Sequence, residues 1–260
     1  MSPLLPFGRR VLSVLALVSG ASLFGASDAL VADFRLASDY SNNGTFGIQA
    51  WVAPYGTSAT LDFTGSAWEW TGATGSGQGL KLNIPTQLST YTLALSFSFS
   101  DVTGYRKIID FKHLSAESGI YAYSKSISVY SGSHHGGGSL TENTYTHLLI
   151  TREATGESSG NLSVYLNGER ISFGDDDFFV DSDGAFTISQ LLYFGLDDRN
   201  GTEFASNGGF ANLQLWNYVL SDSEIEDVVS DIIAIPEPST TAVLAGLAGL
   251  GAVLIYRRRR

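Results

Sequence analysis

The clearest signal along the chain is an alternation of apolar and polar positions with period two. In "TLALSFSFSD", Leu93, Leu95, Phe97 and Phe99 fall on one face, and Ala94, Ser96, Ser98 and Ser100 on the other. Successive side chains of an extended chain point to opposite faces, so this segment predicts a half-buried strand of an antiparallel sheet. "RKIIDF", "GIYAYS", "SISVYSG", "THLLITR", "FTISQLLYFGL" and "FANLQLWNYVL" behave alike, each bounded by Gly, Ser, Asn or Asp, residues that favour turns. "NLSVYLNGERISF" predicts a hairpin, because Asn167 and Gly168 supply the positive φ angles that a type I′ turn requires. A helical period occurs late, in "SDSEIEDVVSDI", where Ser221 and Glu224 have capping-box spacing and Ile225, Val228 and Val229 form an apolar stripe. Many short strands closed by one helix predict an all-β domain over residues 30–232, a β-sandwich or a jelly roll.

The two ends depart from this pattern. In "MSPLLPFGRRVLSVLALVSGASLFGASDA", Arg9 and Arg10 precede an apolar run, and small residues follow at 26–29. That layout predicts a secretory signal peptide over residues 1–29, with an uncleaved anchor as the alternative. Residues 233–260 read "AIPEPSTTAVLAGLAGLGAVLIYRRRR" from Ala234 on, with an apolar stretch of 17 residues from Thr240 to Tyr256. As a helix it spans roughly 25 Å, enough to cross a thin bilayer, and the arginines would stay on the cytoplasmic side. The motif Pro236-Glu237-Pro238, the apolar helix and the cluster Arg257, Arg258, Arg259 and Arg260 together resemble a PEP-CTERM sorting signal. The resemblance implies a Gram-negative bacterium and processing by an exosortase. It also implies an inner-membrane-anchored precursor destined for the cell surface or extracellular matrix.

Charge and cysteine content narrow the function further. The chain has no cysteine, which excludes disulfides, thiol nucleophiles, thiolate metal sites and a lipidated cysteine. Six of the 15 basic residues lie in the two ends but only two of the 26 acidic ones, so the body carries nine basic and 24 acidic groups, a net charge of −15. Such a surface repels nucleic acid and anionic lipid and favours divalent cations.

Within the body, the runs "YTLALSFSFSDVTGYRKIIDF", "YTHLLITREATG…NLSVYLNGE" and "GGFANLQLWNYVLSDSEIEDV" resemble the concanavalin A-like, laminin-G-like jelly-roll superfamily. The resemblance implies two curved antiparallel sheets face to face, with the first strand, "LVADFRL", near the last strand before the helix.

Catalytic patterns are scarce. A glycosidase on this scaffold needs two carboxylates across one cleft. The superfamily's usual arrangement, an E-x-D-x-E-like triplet on one strand, is missing from the sequence. No Walker motif and no G-x-S-x-G elbow occurs. His134 and His135 are adjacent in a glycine-rich stretch that predicts a loop, and His113 and His147 are isolated. Acidic residues cluster in "GDDDFFVDSDG" (Asp175, Asp176, Asp177, Asp181, Asp183) and in "GLDDRNG" (Asp197, Asp198, Asn200). Hard oxygen donors suit Ca²⁺, laminin-G-like domains often hold that ion at one rim, and Asp197, Asp198 and Asn200 are the candidate ligands; ordinary acidic turns are the alternative. Trp51, Trp68 and Trp70 are candidates for stacking on sugar rings, or for plain core packing. These features favour a non-catalytic module that binds extracellular polysaccharide or another surface component. The alternatives are a glycan hydrolase with an unrecognised active site and a purely structural matrix protein.

Overall fold

A computed structural model describes residues 29–44, 50–56, 59–130, 134–174, 176–198 and 202–233. The elements follow in the order β1 (Leu30–Arg35), β2 (Trp51–Gly56), β3 (Thr60–Phe63), β4 (Trp68–Thr71), β5 (Gln78–Asn83), β6 (Tyr91–Phe99), β7 (Arg106–Asp110) and β8 (Gly119–Tyr123). Then come β9 (Ser126–Tyr130), β10 (His134–His135), β11 (Thr146–Ala154), β12 (Gly160–Leu166), β13 (Glu169–Arg170), β14 (Phe179–Asp181), β15 (Leu191–Phe194), β16 (Gly208–Trp216) and α1 (Asp222–Ile233). The signal peptide falls almost wholly outside the described residues, and the PEP motif, apolar segment and arginine cluster lie outside them entirely. Among the described residues no helix is long and apolar enough to cross a membrane.

The strands form two antiparallel sheets. One has nine strands, ordered β13-β12-β11-β6-β16-β4-β3, with β1 also on β16 and β14 also on β12. β1 pairs along the C-terminal half of β16 and β4 along its N-terminal half, so the first strand does lie beside the last. The other sheet has seven strands, β10-β9-β8-β7-β15-β5-β2. Between the sheets lies one continuous core that includes Leu80, Leu82, Leu93, Leu95, Phe97, Phe194 and Phe210.

Two local predictions hold in detail. Asn167 and Gly168 join β12 to β13 with φ of 51° and 88°, and Asn167 also braces β11 by exchanging hydrogen bonds with the His147 backbone at 2.8 and 3.0 Å. At the start of α1, the Glu224 carboxylate accepts the Ser221 N–H at 2.8 Å and the Ser221 hydroxyl at 2.7 Å, and these bonds hold its pKa below the usual value.

β6 differs from expectation: all nine of its residues are buried, not every second one. Part of its second face, at Ala94, is covered by α1. Ala94, Leu149 and Trp216 of the nine-stranded sheet pack with Ile225, Val229 and Ile232 of the helix in a second apolar cluster. The apolar stripe of α1 therefore has a partner on the back of the sheet, which shields part of a strand the alternation would have left half wet.

Candidate functional site

The seven-stranded sheet positions the most distinctive surface of the protein. Alternation sends Leu80, Leu82, Ile120, Ile127, Val129, Leu192 and Phe194 into the core. The opposite face is set by cross-strand pairs: Ala53 with Lys81, Lys81 with Tyr193, Tyr193 with Asp110, Lys107 with Tyr121, and Tyr121 with Ser128.

Half of this outward face is roofed over. Lys107, Asp110, Tyr121 and Ser128 are buried under the segments that follow β7 and β15. The Tyr121 hydroxyl donates to the Glu117 carbonyl at 2.8 Å and lies 3.0 Å from its carboxylate. Asp110 accepts the Lys112 and Leu114 N–H groups at 3.0 and 2.8 Å and pairs with Lys107 Nζ at 3.1 Å. The Lys107 N–H donates to the Glu203 carbonyl at 2.7 Å.

The other half, over β2, β5 and β15, is open. Trp51 and Tyr55 project from the edge strand β2 and are 45% and 44% exposed, although both are large aromatic side chains. Tyr193 packs edge-on against Tyr55, with ring centroids 5.1 Å apart, and Lys81 stands between these rings. Aromatic side chains held on a strand give a rigid apolar platform with polar tips.

The roof gathers carboxylates from distant parts of the chain. Glu117, Asp197 and Glu203 each offer an oxygen, and the three atoms lie within 4.8 Å of one another. Asp197 is buried and accepts the backbone N–H groups of Asp198 and Glu203, both at 2.7 Å. Desolvation, and then the Asp198 side chain, raise the Glu117 pKa; desolvation, and then the Asp197 charge, raise that of Glu203; Lys107 opposes both shifts. Hard oxygen donors that repel one another in a partly dry site fit a Ca²⁺ ion in kind and in charge. This cluster keeps Asp197 from the sequence-predicted set and adds Glu117 and Glu203, while Asn200 lies outside the described residues. Glu117 lies 80 positions before Asp197, and no spacing rule connects two turns that meet only through the sheet.

Other sequence candidates resolve differently. Trp68 and Trp70 do share a face, but it is the inner one: each is 1% exposed, and the Trp70 Nε1–H donates to the Ala205 carbonyl at 3.1 Å. Neither ring is presented to a ligand, because β4 pairs with β16 and turns both indoles onto Phe210. Of the acidic stretch after β13, Asp181 is buried against Arg152, with oxygen and nitrogen 2.8 Å apart, and Asp175 lies outside the described residues. His134 and His135 form the short strand β10 on β9 rather than a loop, and His135 stacks on Tyr123 with centroids 4.9 Å apart.

Residues 73–226 match the family model described as the concanavalin A-like lectin/glucanases superfamily, and residues 234–260 match the PEP-CTERM protein-sorting motif. No curated protein matches the chain. Among solved structures, the Trypanosoma rangeli sialidase in complex with 2,3-difluorosialic acid is similar at a TM-score of 0.56 and 16% identity, over 79% of this chain and 33% of that one. A botulinum neurotoxin type C structure, whose cell entry is described as dependent on two ganglioside molecules, is similar at a TM-score of 0.52 and 14% identity, over 79% of this chain and 51% of that one. The binding domain of botulinum neurotoxin DC in complex with SialylT gives a TM-score of 0.52 and 14% identity, over 79% and 52%. This chain thus spans about half the length of the toxin chains and a third of the sialidase chain, and at these identities the likeness is one of fold.

Proposed function

We propose that this chain, which belongs to the concanavalin A-like lectin/glucanases superfamily and carries a PEP-CTERM protein-sorting motif, is an exported, non-catalytic module that binds glycan at the cell surface. The observation that carries this reading is the open half of the seven-stranded sheet, where Trp51 and Tyr55 stand exposed on one strand. Burying large aromatic rings is favourable, and a contiguous group left in water marks a contact surface. Sugar rings have apolar C–H faces that pack on indole and phenol. The lectin-like folds of the sialidase and toxin neighbours support a glycan ligand by analogy of fold.

A hydrolase is the second reading, favoured by one observation. Glu117, Asp197 and Glu203 converge, and two of them are held above the ordinary carboxylate pKa, as a general acid must be. Against it, Asp197 accepts two backbone N–H groups and Glu117 is engaged by Tyr121, so both brace the roof itself.

One experiment separates the readings. On a glycan array the purified protein is expected to bind a defined subset of glycans. With those glycans in solution it is expected to generate no new reducing ends. Binding to none would remove the recognition role and leave a structural matrix protein; release of reducing ends would make it an enzyme.

The C-terminal motif supports a step of processing before function. The helix and arginine cluster would hold the precursor in the inner membrane until an exosortase acts on it, after which the body reaches the surface. Deleting Pro236 to Pro238 is expected to leave a full-length precursor in the inner membrane, seen by fractionation and immunoblot. Unchanged processing and delivery would argue against sorting by this motif.

A further inference from the structure

On the open half of the face, Lys81 Nζ lies 5.8 Å from the Trp51 ring centroid, 5.9 Å from that of Tyr55 and 6.0 Å from that of Tyr193. The register explains how three rings reach one ammonium. Trp51 and Tyr55 are four residues apart on β2, and the short Ala53 between them lies directly opposite Lys81, which leaves a gap for the longer side chain. Tyr193 is its cross-strand partner from the other side. Lys81 is half-buried. Although acidic groups outnumber basic ones 24 to nine in the body, no carboxylate of the described residues forms an ion pair with it. Ring faces stabilise the cation, but less than a carboxylate does when water is removed.

We infer that the glycan bound at this face is anionic, with a sugar carboxylate meeting the Lys81 ammonium while its ring stacks on Trp51 or Tyr55. The inference rests on the glycan-binding reading above and names the ligand class for that same site. Its physical basis is desolvation. A neutral sugar laid across Trp51 and Tyr55 would strip water from Lys81 and return no counter-charge, a cost that burying an unpaired ion always carries. A uronic acid removes the same water and supplies the partner. The Trp51 and Tyr55 rings lie 5.8 and 5.9 Å from the same ammonium, so an extended polymer can engage both rings with its charge at Lys81. The surrounding acidity sharpens the choice. A body with a net charge of −15 disfavours polyanions in general, so their binding depends on a local cation such as Lys81.

The test uses the full-length protein, with polygalacturonate, alginate and hyaluronate as probes, each compared with its carboxyl-reduced counterpart by calorimetry or affinity electrophoresis. At least one polyuronate is expected to bind about tenfold more tightly than its reduced form. Lys81→Gln is expected to bring that ratio to about one, and Lys81→Arg to keep most of it. If the reduced polymers bind as well as the acidic ones, or if Lys81→Gln keeps the preference, anionic recognition is overturned while glycan binding stands. If no polymer of either kind binds and the glycan array is also blank, both readings fall together.

Discussion

Replacing Arg152 with methionine is expected to lower the unfolding free energy by about 3–5 kcal/mol and the melting temperature by roughly 6–20 °C. Arg152 of β11 and Asp181 of β14 flank β12 and are almost wholly buried. Between them on β12 is Gly160, where a Cβ would sit 2.8 Å from Arg152 Cζ, so the missing side chain is what lets the guanidinium cross the strand. Asp181 receives Arg152 Nε at 2.8 Å and the Ala185 and Phe186 N–H groups at 2.8 and 3.3 Å. The guanidinium also donates to the Ser89 and Ser158 carbonyls. The network leaves neither charge without partners, which is the condition for a buried pair to persist. Removing one member strands the other in a dry site, whereas removing both costs far less. The double variant Arg152→Met/Asp181→Leu is therefore expected to recover most of the loss, and the two single losses will not add. Urea denaturation of the three variants measures this; a loss below about 1 kcal/mol for Arg152→Met would show that the pair is already hydrated.

Such a pair could not be read from sequence, and the reason is general for this fold. Period two tells which residues share a face of a strand, and it placed Leu93 and Phe97 correctly in the core. It does not tell what lies over the second face. Ser96 and Ser98 looked like solvent positions, yet they are buried, and the Ser96 hydroxyl pairs with His147 Nδ1 at 2.7 Å. Local chemistry was legible wherever both partners were close in the chain, as in the Asn167-Gly168 turn and the Ser221–Glu224 cap. Irregularity erased the rest. Lys107 and Asp110 stand three apart, which on a regular strand sends them to opposite faces. A bulge between Lys107 and Ile109 shifts the register and puts both charges together under the roof. The acidic cluster shows the same limit, since of the three candidate ligands read from the sequence only Asp197 belongs to it, and Glu117 and Glu203 come from turns that only the sheet brings together.

The three tryptophans proposed for stacking now divide, and the division can be tested with the second large effect. Trp70→Ala is expected to destabilise the protein by about 3–5 kcal/mol, as loss of a fully buried aromatic does. The indole packs with ring centroids 5.5 Å from Trp68, 5.5 Å from Phe210 and 6.1 Å from Phe99. Gly208 exists to admit it, because a Cβ there would lie 2.7 Å from Trp70 Cζ2. A cavity so enclosed by paired strands has little freedom to collapse. Trp51→Ala removes a ring that is 45% exposed on an edge strand, so its stability cost is expected to stay within about 1 kcal/mol. Its effect falls instead on binding. As an anchor of the ligand platform it should contribute about 2 kcal/mol or more, a loss of roughly 30-fold in affinity for whichever glycan the array identifies. Thermal melts and glycan titrations on the same two variants give a crossed pattern, with stability lost in one and affinity in the other. Unchanged glycan affinity in Trp51→Ala would remove this face as the binding surface, whatever Trp70→Ala does.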